Sequence, residues 1–161
     1  MENTEIRDLI NEITGLSGKI ISFKRIGGNS LILYFDGTPG EANIRSLWLD
    51  PPWKYENSMG IIVDSDEFPF EQNEWQSDRD YSNEFERICR KTDDMLNSKL
   101  KEVKITKNSN ELILCFDNGH ILSNSNISND EFGWAYRNTS KNVILDAFKD
   151  HFEKREIKKV N

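Results

Sequence analysis

The sequence predicts an α+β fold: two pseudo-symmetric helix-plus-four-strand antiparallel repeats followed by a C-terminal helix. Three observations carry that expectation. The run Leu31-Ile32-Leu33-Tyr34-Phe35-Asp36 returns as Leu112-Ile113-Leu114-Cys115-Phe116-Asp117, 81 positions later. Each copy is preceded by apolar residues at helical spacing. A third such stripe, Ile144, Phe148 and Phe152, closes the chain. No Gly/Ser/Pro linker divides the halves, so a single domain over 1–161 is expected. The repeats fall at about 4–76 and 77–138 and the last helix at 140–157.

The first stripe is Ile6, Leu9, Ile10 and Ile13, one face of a helix over 5–14. Asn3 or Thr4 suits its N-cap, and Gly15 suits the left-handed position that ends a helix. Alternation over 19–26 predicts a strand, and Gly27-Gly28-Asn29 a hairpin turn. The strand at 31–35 is apolar at nearly every position, as in a central strand covered on both faces. Strands at 44–49 and 60–64 complete the first copy. Between them Pro51-Pro52-Trp53 breaks the path and sets an aromatic at a loop edge.

The second helix places Tyr81, Phe85, Ile88, Thr92 and Met95 or Leu96 on one stripe, opened by Ser77 or Ser82. Strands follow at 100–106, 111–116, 120–124 and 131–137, with Asp117-Asn118-Gly119 as a hairpin signal. Trp53-Lys54-Tyr55 recurs as Trp134-Ala135-Tyr136 at the same spacing, so the repetition extends beyond the apolar run. In the last helix Val143 and Ala147 flank the stripe, Ser140 suits the cap, and Lys154, Arg155, Lys158 and Lys159 suit the negative end.

Length and composition bound the function. A chain of 161 residues can bury one core. Hydrophobic residues make up 36% and charged residues 30%, while 11% aromatic content supplies bulky core material, as in a small soluble protein with a large hydrated surface. The net charge of −7 and pI near 4.9 point away from nucleic acid and anionic membrane and toward a basic partner. No apolar run reaches the roughly 18–20 residues that span a bilayer. The start, Met1-Glu2-Asn3-Thr4-Glu5, lacks a leader pattern, so a cytoplasmic location is expected. Cys89 and Cys115 sit in apolar patterns and are expected as buried free thiols.

Catalytic patterns are missing. His120 and His151 have no cysteine or second histidine at metal-ligand spacing. Gly27-Gly28 lacks the Lys-Ser/Thr of a phosphate loop, and there is no Gly-x-Ser-x-Gly elbow. Asp64-Ser65-Asp66-Glu67 offers half a cation site, or an acid/base pair for a hydrolase, but lacks the glycine of a calcium loop. A non-enzymatic protein without metal or cofactor is therefore expected. The distinctive feature is a run of carboxylates over 64–86 interleaved with Phe68, Phe70, Trp75 and Tyr81. A solvated acidic face with its aromatics tucked into the core is the plain account of that run. The sharper one is a docking surface for a cationic partner, made by Asp64, Asp66, Glu67, Phe70, Glu71, Glu74, Trp75, Asp78 and Asp80. There acids steer and aromatics supply affinity. The alternative is a small-ligand or regulatory module with a pocket between the repeats at Trp53 and Trp134.

The stretch Trp48-Leu49-Asp50-Pro51-Pro52-Trp53-Lys54, followed by Gly60-Ile61-Ile62-Val63-Asp64-Ser65-Asp66, resembles a pattern in small bacterial proteins. In those a strand ends in Pro-Trp-Arg and the next reads Ile-Leu-Val-x-Ser-x-Asp; Lys54 stands where they carry Arg. Proteins of this acidic kind occur among immunity proteins that neutralise polymorphic or contact-dependent toxins. The resemblance implies tight one-to-one binding to a toxin domain in the producing cell's cytoplasm, and it transfers no binding residue. The leading expectation is thus an immunity protein whose segment 64–86 occludes the basic active site of a cognate toxin, such as a nuclease.

Overall fold

The computed structural model describes residues 3–69, 72, 74–125 and 127–157, and among these the chain is mostly β. Helix α1 (Thr4–Thr14) leads into β1 (Phe23–Gly27), β2 (Ser30–Phe35), β3 (Arg45–Leu49), β4 (Trp53–Asn57) and β5 (Gly60–Asp64). Helix α2 (Asp78–Arg90) leads into β6 (Leu100–Ile105), β7 (Leu112–Phe116), β8 (Ile121–Asn124), β9 (Trp134–Asn138), β10 (Val143–Ala147) and β11 (Phe152–Glu156). One antiparallel sheet runs β1-β2-β3-β9-β10-β11 and the other β5-β4-β8-β7-β6. No helix among the described residues is long and apolar enough to cross a membrane.

This overturns the expected pair of helix-plus-four-strand repeats with a C-terminal helix. Where that helix was expected, over 140–157, the chain forms the hairpin of β10 and β11. Ile144, Phe148 and Phe152 are four apart, a spacing compatible with a period of 3.6 or of 2. The neighbours decide between them. Val143, Leu145 and Ala147 are all buried, which is a strand's alternation. The expected break at Pro51-Pro52 also proves short. Trp53 is the first residue of β4, a strand paired with both β5 and β8.

Each copy consists of a helix, a three-strand meander and a hairpin. The hairpin does not close on its own meander. The hairpin of β9 and β10 joins the first copy's meander through β3, with Leu47 opposite Tyr136 and Leu49 opposite Trp134. The hairpin of β4 and β5 joins the second copy's meander through β8, with Trp53 opposite Asn124 and Tyr55 opposite Leu122. The two copies therefore exchange hairpins, and β11 extends only one of the two sheets.

Sequence pattern accounts for the local elements. Leu9 and Ile13 of α1 are buried, and Asn3 accepts from Glu5 N at 2.8 Å as the N-cap. Gly15 is right-handed at φ −72°, and the left-handed residue comes later, at Gly18 with φ +88°. A Cβ at Gly15 would lie 3.0 Å from Asn11 O, so close approach to the helix end favours glycine there. α2 stops at Arg90, and its stripe continues through a separate 3-10 turn, Asp93–Met95, which buries Met95.

Both sheets contribute to one apolar core. Leu31, Leu33 and Phe35 of β2 lie in it, as do Leu112, Leu114 and Phe116 of β7. Ile32 is buried as well, whereas Ile113 at the matching position of β7 is only half-buried. Two indoles tie the sheets together. Trp53, on β4, donates Nε1–H to Asn29 O of the β1–β2 turn at 2.7 Å. Trp134, on β9, donates to Asn110 O of the β6–β7 loop at the same 2.7 Å. The partners are again 81 positions apart, so the repetition in sequence is a repetition of contacts.

Candidate functional site

The carboxylates over 64–86 divide into structural and unpaired sets. Asp64 ends β5 and caps a 3-10 turn, Ser65–Glu67, accepting from Asp66 N at 3.0 Å. Glu67 reaches back to Asp64 N at 2.9 Å, closing a reciprocal cap, and pairs with Lys91 at 2.9 Å. Partial burial pushes the Glu67 carboxyl up, but these donors outweigh it and hold the group below its ordinary value. Buried Ser65 accepts from Trp53 N at 3.1 Å. Phe68 packs against Trp53 and Phe85, with ring centroids 5.9 and 5.4 Å away. Tyr81 donates its hydroxyl to Pro69 O at 3.1 Å. Asp64, Glu67, Phe68 and Tyr81 thus fasten this segment to the fold.

Further along, Glu84 pairs with Arg87 and Glu86 with Arg90 on the surface of α2. Asp78 and Asp80 lie in the first turn of α2, where Ser77 Oγ accepts from Asp80 N at 3.1 Å. There they complement the helix dipole. Among the described residues, Asp66, Glu74, Asp78 and Asp80 carry no ion-pair partner. Trp75 stands between Glu74 and Asp78 with 88% of its surface exposed. Phe70 and Glu71, also expected in the docking surface, lie outside the described residues.

Trp53 and Trp134, the expected pocket residues, are both buried in the core with their indole N–H groups committed to backbone carbonyls. Four cavities among the described residues are lined by other residues.

The structure assembles two groupings that sequence reasoning missed. In the first, Tyr55 Oη donates to Asp94 Oδ1 at 2.9 Å and lies 2.8 Å from His120 Nδ1, which is 3.2 Å from Asp94 Oδ2. The three residues belong to β4, the 3-10 turn after α2 and the β7–β8 turn, so no spacing in the chain announces them. The second copy has a counterpart. Tyr136 Oη donates to Glu12 Oε1 at 3.1 Å, and Asn138 and Lys141 donate to the same carboxylate at 2.9 and 2.6 Å.

The second grouping is the outward face of the six-stranded sheet, where a cavity of about 230 Å³ is lined by Ile32, Tyr34, Trp48 and Phe132 and by three arginines. Alternation along β1, β3 and β9 was the available signal. Arg25, Trp48 and Arg137 all occupy outward positions of strands whose other side is core.

Among the described residues no group of His, Cys, Asp and Glu is placed to hold a metal. Cys89 and Cys115 are free and half-buried, and burial pushes the Cys89 thiol up. No protein-family model matches the chain, and comparison with curated proteins and with solved structures likewise gives no match.

Proposed function

We propose that the chain is a non-enzymatic binding protein of the immunity type, which neutralises a basic toxin domain by covering its active site with the segment around Trp75. The supporting observation is the exposure of Trp75 beside Glu74, Asp78 and Asp80, carboxylates that have no ion-pair partner among the described residues. An exposed indole is a frequent anchor of tight interfaces, and unpaired acids accelerate encounter with a cationic surface such as a nuclease's phosphate-binding groove. The paired carboxylates Glu67, Glu84 and Glu86 are left out of this surface, since their cations already satisfy them.

The test looks beside the gene for one that encodes a toxin-like domain and pairs the chain with that domain. Co-expression should restore growth. Glu74→Lys, Asp78→Lys and Asp80→Lys together should slow association about tenfold and flatten its salt dependence. Trp75→Ala should accelerate dissociation instead. Growth that is not restored, or binding indifferent to salt and to all four changes, overturns the proposal.

A further inference from the structure

The outward face of the six-stranded sheet is a trough lined by three arginines. Two cross-strand rows define it. One runs Arg25, Ile32, Trp48, Ala135 and ends in Asp146 and Glu153 on β10 and β11; the next runs Tyr34, Ser46, Arg137, Ile144, Arg155. Ile32, Tyr34, Trp48 and Ile144 form the apolar floor, and Phe132 adds a ring at one end. Trp48 keeps 40% of its surface exposed and is held by Asp50 Oδ1, 2.5 Å from Nε1. Ser30 Oγ donates to the same Asp50 oxygen at 2.6 Å.

The arginines are not equivalent. Arg155 is spent on Asp146, with Nε and Nη2 at 2.7 and 3.3 Å from its two oxygens. Arg25 and Arg137 are exposed and have no ion-pair partner among the described residues. In a chain of net charge −7, two uncompensated guanidiniums on either side of an apolar floor select for an anion.

We infer that this face binds an acidic peptide segment of a partner protein, one that places an apolar side chain between two carboxylates. The spacing supports it. Arg25 and Arg137 are three strands apart and one two-residue step out of line, which puts their Cα atoms roughly 16 Å apart. In an extended peptide, residues i, i+2 and i+4 project from one side, and i and i+4 are about 13 Å apart. Two leaning arginine side chains close the difference, and residue i+2 then falls on the floor beside Trp48. Each guanidinium donates two N–H bonds to its carboxylate. A nucleic acid strand fits less well, since two free arginines neutralise few phosphates and the −7 charge repels the remainder. This surface is distinct from the acidic one around Trp75 and does not rest on that proposal.

The experiment titrates the full chain, labelled with nitrogen-15, with the blocked pentapeptide Glu-Ser-Leu-Ser-Glu. Saturable shifts are expected at the Trp48 indole N–H and at the β1, β3 and β9 amides. Gln-Ser-Leu-Ser-Gln should bind at least tenfold more weakly. So should the original peptide with Arg25→Gln/Arg137→Gln, two exposed changes whose spectra report directly whether the fold is kept. Shifts elsewhere only, no shifts, or equal binding of the glutamine peptide overturn the inference. So does tighter binding of oligothymidylate on this face. Concentration-dependent shifts of the face without peptide overturn it in favour of a second copy of the chain.

Discussion

Glu12 shows how a single carboxylate can bind two sequence-distant elements. It lies on α1, and its donors Tyr136, Asn138 and Lys141 all come from β9 and the turn after it. Burial pushes the Glu12 carboxyl up, but the three donors together outweigh it and hold the group below its ordinary value of 4.5. A carboxyl depressed on folding stabilises the native state above pH 4.5, and that stability is lost as the pH falls through its lower folded value. Glu12→Gln should therefore cost about 1 kcal/mol at neutral pH, the typical net worth of such a contact. Urea denaturation repeated below pH 4.5 should show the gap between variant and parent closing. The buried phenols act at the other limb. Burial, reinforced by the Asp94 and Glu12 carboxylates, pushes Tyr55 and Tyr136 above the ordinary tyrosine value of 10.0. Their contribution is full below pH 10.0 and is lost as the pH rises through the folded values. Little of this was legible in the chain. The recurrence of Trp53 and Tyr55 at Trp134 and Tyr136 was visible, but residues that repeat because they hold the fold look the same, in sequence, as residues that repeat to flank a pocket.

Legibility at the level of elements follows the clarity of the period. The stripe of α1 is legible, and the structure selects one of two candidates at each cap, Asn3 over Thr4 for α1 and Ser77 over Ser82 for α2. The core runs of β2 and β7 are legible too, with Leu31, Leu33, Leu112 and Leu114 all buried. The end of the chain was misread because Ile144, Phe148 and Phe152 satisfy two periods. In β10 the deciding contacts come from outside the segment: Leu145 faces Tyr136 on β9 and Lys154 on β11. In the expected helix Leu145 would stand beside the apolar stripe, whereas in the strand it is fully buried. Leu145→Ala should then cost about 2–5 kcal/mol, as for deletion of a buried leucine side chain. Lys149→Ala, four residues on and exposed, should change stability by under about 0.5 kcal/mol. Denaturant midpoints of the two variants separate the strand from the helix.

For the whole molecule the exchange of hairpins matters most. The duplication at 81 positions was legible, but its packing was not. A repeat that closes on itself and one that trades its last strands share the same periodicity, the same caps and the same apolar runs. Pairing separates them: β4 hydrogen-bonds to β8, and β9 to β3. Each copy alone would leave its meander with an open edge at β3 or β8, and its hairpin with an unpaired edge at β4 or β9. Trp53 and Trp134 would each lie on a hairpin with no sheet to complete. Such edges are unstable in water and prone to pair with other chains. Fragments 1–76 and 77–161, expressed separately, should therefore each lack the near-ultraviolet signal of fixed tryptophans and should aggregate readily. Mixed at equal concentration, they should recover that signal together, because each supplies the hairpin the other's meander is missing. The intact chain should unfold in one transition, with tryptophan fluorescence and far-ultraviolet circular dichroism coincident. A fragment that folds alone with its tryptophan buried, or two separated transitions in the intact chain, would mean that the copies are energetically independent. In that case the cross-copy pairing of β3 with β9 and of β4 with β8 would not hold the molecule together.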